Sequence, residues 1–304
     1  MVITGASHPA LTCPEPFVWP AMLILTCPSK LQLLEGMLKR SLPLALPVHG
    51  AVMHINRGNP VQHEVVVDSW PEFKVVLTRP QRKVMKDKWD FFTNLYAAFY
   101  QDVDACQALL ENAEAIDWSM AFQLRALQDG VYKAVRSIAE ARHVHLKPYS
   151  YLTALHPDPP SLSQKRLRND LHIGTINSSH AALLNDAWNE GGSSHSLRYL
   201  DSLVRNFPST GLFNKEGQLI SWSLSDPVGS LAHGYTHPQY RGQGCIEVVT
   251  QGTAMKLYAH GFPVHAVTLA ENHPSRQALK HQGFNFLPCT YSILIVTPTL
   301  DPKT

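Results

Sequence analysis

A strand-like run, Leu231 to Thr236, feeds the turn Gln239-Tyr240-Arg241-Gly242-Gln243-Gly244, which opens a helix-like run from Cys245 to Ala259. A glycine-rich turn between a strand and a helix suits an anion. The first N–H groups of a helix have no intrahelical partners and carry partial positive charge, and glycine lets a phosphate approach the main chain. Residue types alone therefore point to a pyrophosphate over the N–H groups of Arg241, Gly242, Gln243, Gly244 and Cys245, with Gly244 the most sensitive position. A tight strand-to-helix turn with no ligand would use the same glycines. Two imidazoles stand close by, His233 on the strand and His237 just after it, and an unperturbed imidazole titrates near neutrality, at about 6.5.

The elements that must position this loop sit in a chain of 304 residues, 44% hydrophobic and 16% charged, enough for two cores of ordinary size. The net charge of +2 and the absence of a long basic run argue against a nucleic-acid partner; the densest cationic stretch, Arg79 to Lys88, is interrupted by Asp87 and reads as a solvated helix face. Five widely spaced cysteines, Cys13, Cys27, Cys106, Cys245 and Cys289, include no Cys-x-x-Cys pair, so neither a disulfide framework nor a zinc site is indicated. His143-x-His145, and His54 with His63, lack acidic or cysteine companions at metal spacing and read as surface or loop histidines. No apolar run approaches the roughly 18 residues of a membrane span. The first 29 residues contain no Lys or Arg, unlike a signal peptide or a mitochondrial presequence, and Met22 is an alternative start.

Periodicity predicts a first helix over Met22 to Leu38, and a hairpin of Val48–Ile55 with Glu64–Val67 about the turn residues Asn56 to Pro60. It then predicts a strand at Val75–Thr78 and helices at Phe91–Glu111, Trp118–Asp129 and Val131–Ala141, with Asp117 as a cap and Asp129-Gly130 as a break. Pro157 to Arg168, with three prolines and the basic residues Lys165, Arg166 and Arg168, is a loop or linker. Helices follow at Asn177–Asn189 and Ser194–Phe207, then strands at Thr210–Phe213, Leu219–Leu224 and Leu231–Thr236. The remainder alternates: helix Cys245–His260, strand Val264–Ala270, helix Pro274–Gln282, and a strand or hairpin over Phe284–Val296. No internal repeat of 20 to 50 residues is visible.

Two short helices, antiparallel strands, a strand ending in Gln-x-x-Gly-x-Gly, a helix, a strand, and Glu271-Asn272-His273-Pro274-Ser275 opening a helix that closes on Gly283-Phe284: this order resembles the GCN5-related N-acetyltransferase fold. Arg57-Gly58-Asn59-Pro60, Asp68-Ser69-Trp70-Pro71, Trp188 with Gly191-Gly192, Ser221-Trp222 and His237-Pro238-Gln239-Tyr240-Arg241 are similar to the glycine N-acyltransferase family, over about Met22 to Pro298. The resemblance implies an α+β chain with an N-terminal family domain, 22–207, and a C-terminal acyl-CoA-binding acyltransferase domain, 208–300. It implies transfer of a fatty or aromatic acyl group from acyl-CoA to glycine by direct aminolysis of the thioester, with acyl-CoA as co-substrate, no permanently bound cofactor, and a mitochondrial location, the cytoplasm being the alternative.

On that footing the pyrophosphate takes the loop from Gln239 to Cys245, and the pantetheine arm lies along Leu231 to Thr236, using Thr236 and other main-chain groups as another strand would. Asn272 matches the position whose side chain meets that arm, and it suits a helix N-cap before Pro274 equally well. Aminolysis needs the amine unprotonated, hence a base. Relatives are assigned a glutamate near the start of the strand before the loop, but this chain has Ser230 there. His233 is then the favoured base and His237 the second candidate, against the reading of His233 as a satisfied, half-buried histidine. Leu279 stands where many members of the fold place a tyrosine that protonates the leaving thiol. Cys245, at a helix start, is expected to have a depressed thiol pKa, which admits a covalent acyl-cysteine as a lesser route. Arg241, Arg198 and Arg57 are candidates for the acceptor carboxylate. Trp70, Trp188, Trp222, Tyr199 and Phe213 are either an acyl pocket or plain core. Two other functions stay open: an N-acetyltransferase with another amine acceptor, and an acyl-CoA binder that has lost its base.

Overall fold

The structure, a computed structural model, describes residues 22–162 and 167–299. Cys13, the choice between Met1 and Met22, and the basic pair Lys165-Arg166 lie outside the described residues. The first half runs β1 (Leu23–Leu25), α1 (Pro28–Lys39), α2 (Leu46–Asn56), β2 (His63–Val67), β3 (Val75–Pro80), β4 (Leu95–Tyr100), α3 (Val103–Glu111), β5 (Phe122–Ala126), α4 (Asp129–Ala141) and β6 (His145–Leu155). The second half repeats that order as β7 (Leu171–Gly174), α5 (Ala181–Ala187), α6 (Ser194–Asn206), β8 (Ser209–Asn214), β9 (Leu219–Ser225), β10 (Leu231–Thr236), α7 (Cys245–Ala259), β11 (His265–Thr268), α8 (His273–His281) and β12 (Asn285–Thr297).

Among the described residues all twelve strands join one sheet, in the order β1-β2-β3-β4-β5-β12-β6-β11-β10-β9-β8-β7. The order is symmetric about its centre, because each half lends its last strand to the other: β12 pairs with β5, and β6 with β11. The α+β class is as expected. The duplication was not visible in the sequence, since it lies in the connection order rather than in a short-period residue pattern.

Each half contains one parallel pair, and the two pairs differ in a way that decides where a ligand can enter. In β4 and β5, Leu95 to Ala97 stay in register with Gln123 to Arg125. Gln128 then clips the end, accepting from the Tyr100 N–H at 2.9 Å and donating to the Tyr100 carbonyl at 2.8 Å. In β10 and β11 the register holds only at Leu231 and Ala266. From there the strands part, and the slot stays open in the second half alone.

From Asn177 onward the expected elements are present, and their caps explain why. Asn177 accepts from the Ser179 N–H, Ser193 caps α6 by accepting from the Ser196 N–H, and Asn272 caps α8. The first half departs from expectation in five places. Arg79 to Lys88 is not a solvated helix face, since Arg79 is buried in β3 and donates to Glu64 at 2.8 Å. Val48–Ile55 is not a strand but the body of α2, a helix buried on every side from Leu46 to His54, so its apolar run shows no period. Phe91–Glu111 is not one helix: β4 comes first, buried from Leu95 to Phe99, and α3 begins only at its Asp102 cap. Trp118–Asp129 holds the buried strand β5, while Asp117 closes a turn onto Ser119 and Asp129-Gly130 opens α4 instead of breaking a helix. A short edge strand, β1, precedes the first helix, which starts at Pro28.

His54 and His63 are not surface histidines; both are buried, and so is His49. The His54 ring lies 4.8 Å from that of Phe207 and 4.5 Å from that of Phe262. Burial pushes the pKa of all three imidazoles down to about 4. The unfolded chain titrates near the ordinary value, about 6.5, and so binds more protons than the folded one below it. Stability is therefore fully present above about pH 6.5 and is lost as the pH falls toward 4, by at most about 3 kcal/mol per histidine. Thermal unfolding followed between pH 8 and pH 4.5 should show Tm falling below 6.5, less steeply in His54→Leu. A Tm unchanged from pH 7 to pH 5 would reject this account.

Candidate active site

The slot between β10 and β11, closed by α7 on one side and α8 on the other, is a cleft of ≈ 490 Å³. Its backbone is shaped by a bulge in β10. The register against β9 passes from Ala232 opposite Leu224 to Tyr235 opposite Trp222, so His233 and Gly234 together face the single residue Ser223. A bulge leaves main-chain groups unpaired and bends the strand away from its neighbour. His233 bears the local strain, with φ at +51°, a left-handed conformation that histidine adopts more readily than most residues.

At the wide end of the cleft Gly242 and Gly244 have φ of +73° and +78°, and Gly244 is the N-cap of α7. The turn therefore needs glycine for its shape, and the start of α7, from Gly244 to Ile246, lines the cleft, where a helix N-terminus suits an anion. Arg241 donates from Nε to the Thr236 carbonyl at 3.0 Å and lies over the Tyr235 ring at 5.7 Å, which fixes it beside that mouth. The Thr236 hydroxyl is engaged with Ser221 Oγ at 2.8 Å, and its carbonyl with Arg241. Gln243 donates to the Gln239 carbonyl at 3.2 Å and accepts from Arg168, so both glutamines shape the loop from outside.

Asn272 lines the cleft and also caps α8, its Oδ1 accepting from the Ser275 N–H at 3.2 Å. The helix-cap reading of this residue is met, with the side chain on the cleft wall. Leu279 lines the cleft and supplies no hydroxyl for protonating a leaving thiol. Cys245 corrects the expectation of a depressed thiol pKa: its side chain is buried, and burial pushes that pKa up. The helix N-terminus favours charge placed ahead of it on the axis, not a thiol packed into the core beside it.

The two histidines separate. His237 is exposed on the outer turn after β10 and does not line the cleft. His233 lines it, half-buried, with its ring 4.6 Å edge-on from Trp188 and 5.7 Å from Tyr199 of α6. Burial pushes its pKa down to about 4, against the pull of Asp226. It is a neutral imidazole at pH 7, and the near-neutral value expected from the sequence does not hold.

Sequence reasoning missed what lies near His233. Arg125 of β5 and Asp226, in the β9–β10 turn, form a buried ion pair joining the two halves. Asp226 also accepts from the Ser230 hydroxyl at 2.7 Å, the Ser230 N–H at 2.9 Å and the Val228 N–H at 3.1 Å. Burial alone would raise the Asp226 carboxyl; Arg125 and Ser230 outweigh it and hold it below the ordinary carboxylate value. Ser230 is thus an anchor for Asp226, fully buried and outside the cleft lining. Of the aromatic candidates, Trp188 and Tyr199 reach His233. Trp222 stacks on Tyr235 at 4.6 Å, Phe213 on His172 at 5.6 Å, and Trp70 packs among the first-half helices and strands.

The arrangement suits an amide-bearing chain along a splayed strand, with an anion at one end and a neutral imidazole at the other. Residues 22–208 match the family model described as aralkyl acyl-CoA:amino acid N-acyltransferase, and residues 210–298 match the model of its C-terminal region. The chain is 32% identical to the glycine N-acyltransferase of Rattus norvegicus over 88% of this chain and 96% of that one. It is 31% identical to the glycine N-acyltransferase-like protein 2 of Homo sapiens over 91% and 99%. To the glycine N-phenylacetyltransferase of Bos taurus it is 33% identical over 80% and 88%. Among solved structures, a Drosophila protein superposes with a TM-score of 0.73 at 18% identity, over 91% of this chain and 98% of that one.

Proposed function

Because the chain belongs to the aralkyl acyl-CoA:amino acid N-acyltransferase family, with the fold of the GCN5-related N-acetyltransferases, we propose that it transfers the acyl group of an acyl-CoA to the amino group of glycine, giving an N-acylglycine and CoA. The observation that carries this reading is the slot itself: β10 and β11 part beyond Leu231, and the gap ends on the left-handed Gly242 and Gly244 at the start of α7. Pyrophosphate, pantetheine and thioester each find a matching surface there, and the equivalent gap in the first half is closed by Gln128.

In this mechanism the pyrophosphate sits on the N–H groups of the α7 start, and the pantetheine amides pair with β10 on its open edge. That brings the thioester to the bulge, where unpaired main-chain groups can meet the carbonyl oxygen as charge develops on it. The glycine nitrogen attacks the carbonyl carbon, the C–N bond forms, and the nitrogen proton becomes far more acidic than in free glycine. His233, neutral and adjacent, accepts that proton at this stage, and the C–S bond breaks to release the thiolate, which His233 or solvent reprotonates. With Leu279 in place of a tyrosine, departure relies on the thiolate being a good leaving group.

Release of CoA from a panel of acyl-CoAs with glycine, other amines or none tests the reading. Glycine-dependent release supports it; release with other amines alone replaces glycine as acceptor. No amine-dependent release would favour a second reading, an acyl-CoA binder without turnover, for which the burial of Ser230 against Asp226 is the specific observation. Direct transfer makes a further prediction. Cys245→Ala should keep kcat within about threefold, and intact-mass measurement of protein mixed with acyl-CoA should show no acyl adduct, since a buried thiol with a raised pKa is a poor nucleophile. A mitochondrial location is proposed on the resemblance alone, and imaging of the full-length chain with a C-terminal fluorescent tag tests it.

A further inference from the structure

Resting on the acyltransfer reading, we propose that the amino-acid acceptor enters by a second chamber, on the far side of the aromatic residues that flank His233, and that Arg198 holds its carboxylate there. The chamber, ≈ 640 Å³, lies between the segment 84–95 of the first half and α6 of the second. Tyr199 and Phe92 form its inner wall. Those rings stack at 5.8 Å, Phe92 meets Trp188 at 5.4 Å, and Tyr199 and Trp188 are the two rings against His233. One aromatic layer thus separates the chamber from the cleft, and His233 belongs to both the layer and the cleft.

Three observations favour an acceptor here. A pantetheine arm filling the ≈ 490 Å³ cleft leaves no room behind it for a second substrate to pass, so the amine must come from the other side of the strand. The chamber carries charges of both signs, Lys86, Lys88 and Arg198 against Asp87 and Asp90, which suits a zwitterion and not an acyl tail. The three arginines considered for the carboxylate are also placed very differently. Arg57 is held by both carboxylate oxygens of Glu35, at 2.7 and 2.8 Å, and Arg241 is at the phosphate end of the cleft. Arg198 alone of these lines the chamber, on the residue next to Tyr199. Its Nη2 donates to Asp87 at 2.7 Å and Asp90 at 3.4 Å, and its side chain is 52% exposed. An incoming carboxylate can displace the Asp87 contact, whose two side chains are 52% and 40% exposed, because exposed ion pairs of that kind are weak; Asp90, only 4% exposed, is the more distant partner at 3.4 Å.

Steady-state kinetics with glycine and with glycinamide, which lacks the carboxylate, test the assignment in the full-length protein, with Arg198→Ala and with Leu203→Trp, which fills the chamber from α6. Support is a rise of about tenfold in KM for glycine in Arg198→Ala with glycinamide within twofold, and a rise for both amines in Leu203→Trp, the KM for acyl-CoA holding in each. Unchanged acceptor KM values in a folded Leu203→Trp protein overturn the proposal. So does a rise confined to acyl-CoA, which would place the acyl chain there. If wild-type protein releases no CoA with any amine, the acyltransfer reading has failed, and calorimetric titration of glycine into CoA-loaded protein decides this one separately. Heat that Arg198→Ala abolishes keeps the site; no heat from wild type removes it.

Discussion

Gly244→Val should weaken CoA binding about 100-fold by calorimetry, while a matched glycine substitution elsewhere leaves it intact. Gly244 has φ of +78° at the N-cap of α7, and an L-residue held left-handed costs roughly 1–2 kcal/mol, more for a branched side chain. The chain relieves that strain by turning the peptide, which swings the first N–H groups of α7 off the phosphate; losing two charge-assisted hydrogen bonds at about 1.5 kcal/mol each, the low end of their range because solvent reaches the loop, gives roughly the stated effect. Gly217 is the control. It has φ of +77°, open space where its Cβ would be, and a place in the β8–β9 turn away from the cleft. Gly217→Val should lower Tm by a similar amount and bind CoA as wild type does. Wild-type affinity in Gly244→Val, or equal loss in both variants, would refute the phosphate assignment.

The second half was legible because its elements announce themselves locally: Ser and Asn caps, an amphipathic α6, and glycines at the loop that carries the ligand. The first half was less so, chiefly for one physical reason. Elements covered on all sides show no alternation and no helical period, so α2 read as strand, and β4 and β5 read as parts of helices. Misreading β5 also hid Arg125. A lone arginine within Phe122–Ala126 looks like the solvent face of a helix, whereas in a buried strand it demands a buried partner. That partner, Asp226, is 101 residues away and resembled an ordinary turn aspartate beside Pro227 and Gly229. Pairing of this kind follows from the exchange of β12 and β6 between halves, which no window of sequence reveals. The same exchange explains why α6, the 84–95 segment and the cleft meet: the halves share one sheet, and the chamber on one face backs onto the slot on the other.

His233→Ala should lower kcat by about 10² to 10³ with the KM for acyl-CoA little changed, the range expected for loss of a positioned proton acceptor. The imidazole is held by Trp188 and Tyr199 and by the bulge, none of which depends on the ring for folding, so Tm should fall only slightly. The pH profile distinguishes a proton acceptor from a merely packed ring. Burial places the His233 pKa at about 4, so the imidazole is already deprotonated throughout pH 5.5 to 8 and sets no inflection near 6.5. Across that window log kcat/KM for glycine should rise with unit slope, because only the growing free-amine fraction of glycine changes. The acidic limb belonging to His233 would appear near pH 4, superposed on the loss of stability from the other buried histidines. In His233→Ala the slope should persist at a lower level, and added imidazole should restore part of the rate. An inflection near 6.5 that vanishes in the variant would mean the ring is far more solvated than its place behind Trp188 implies. A rate unchanged by the substitution would remove His233 from the chemistry altogether.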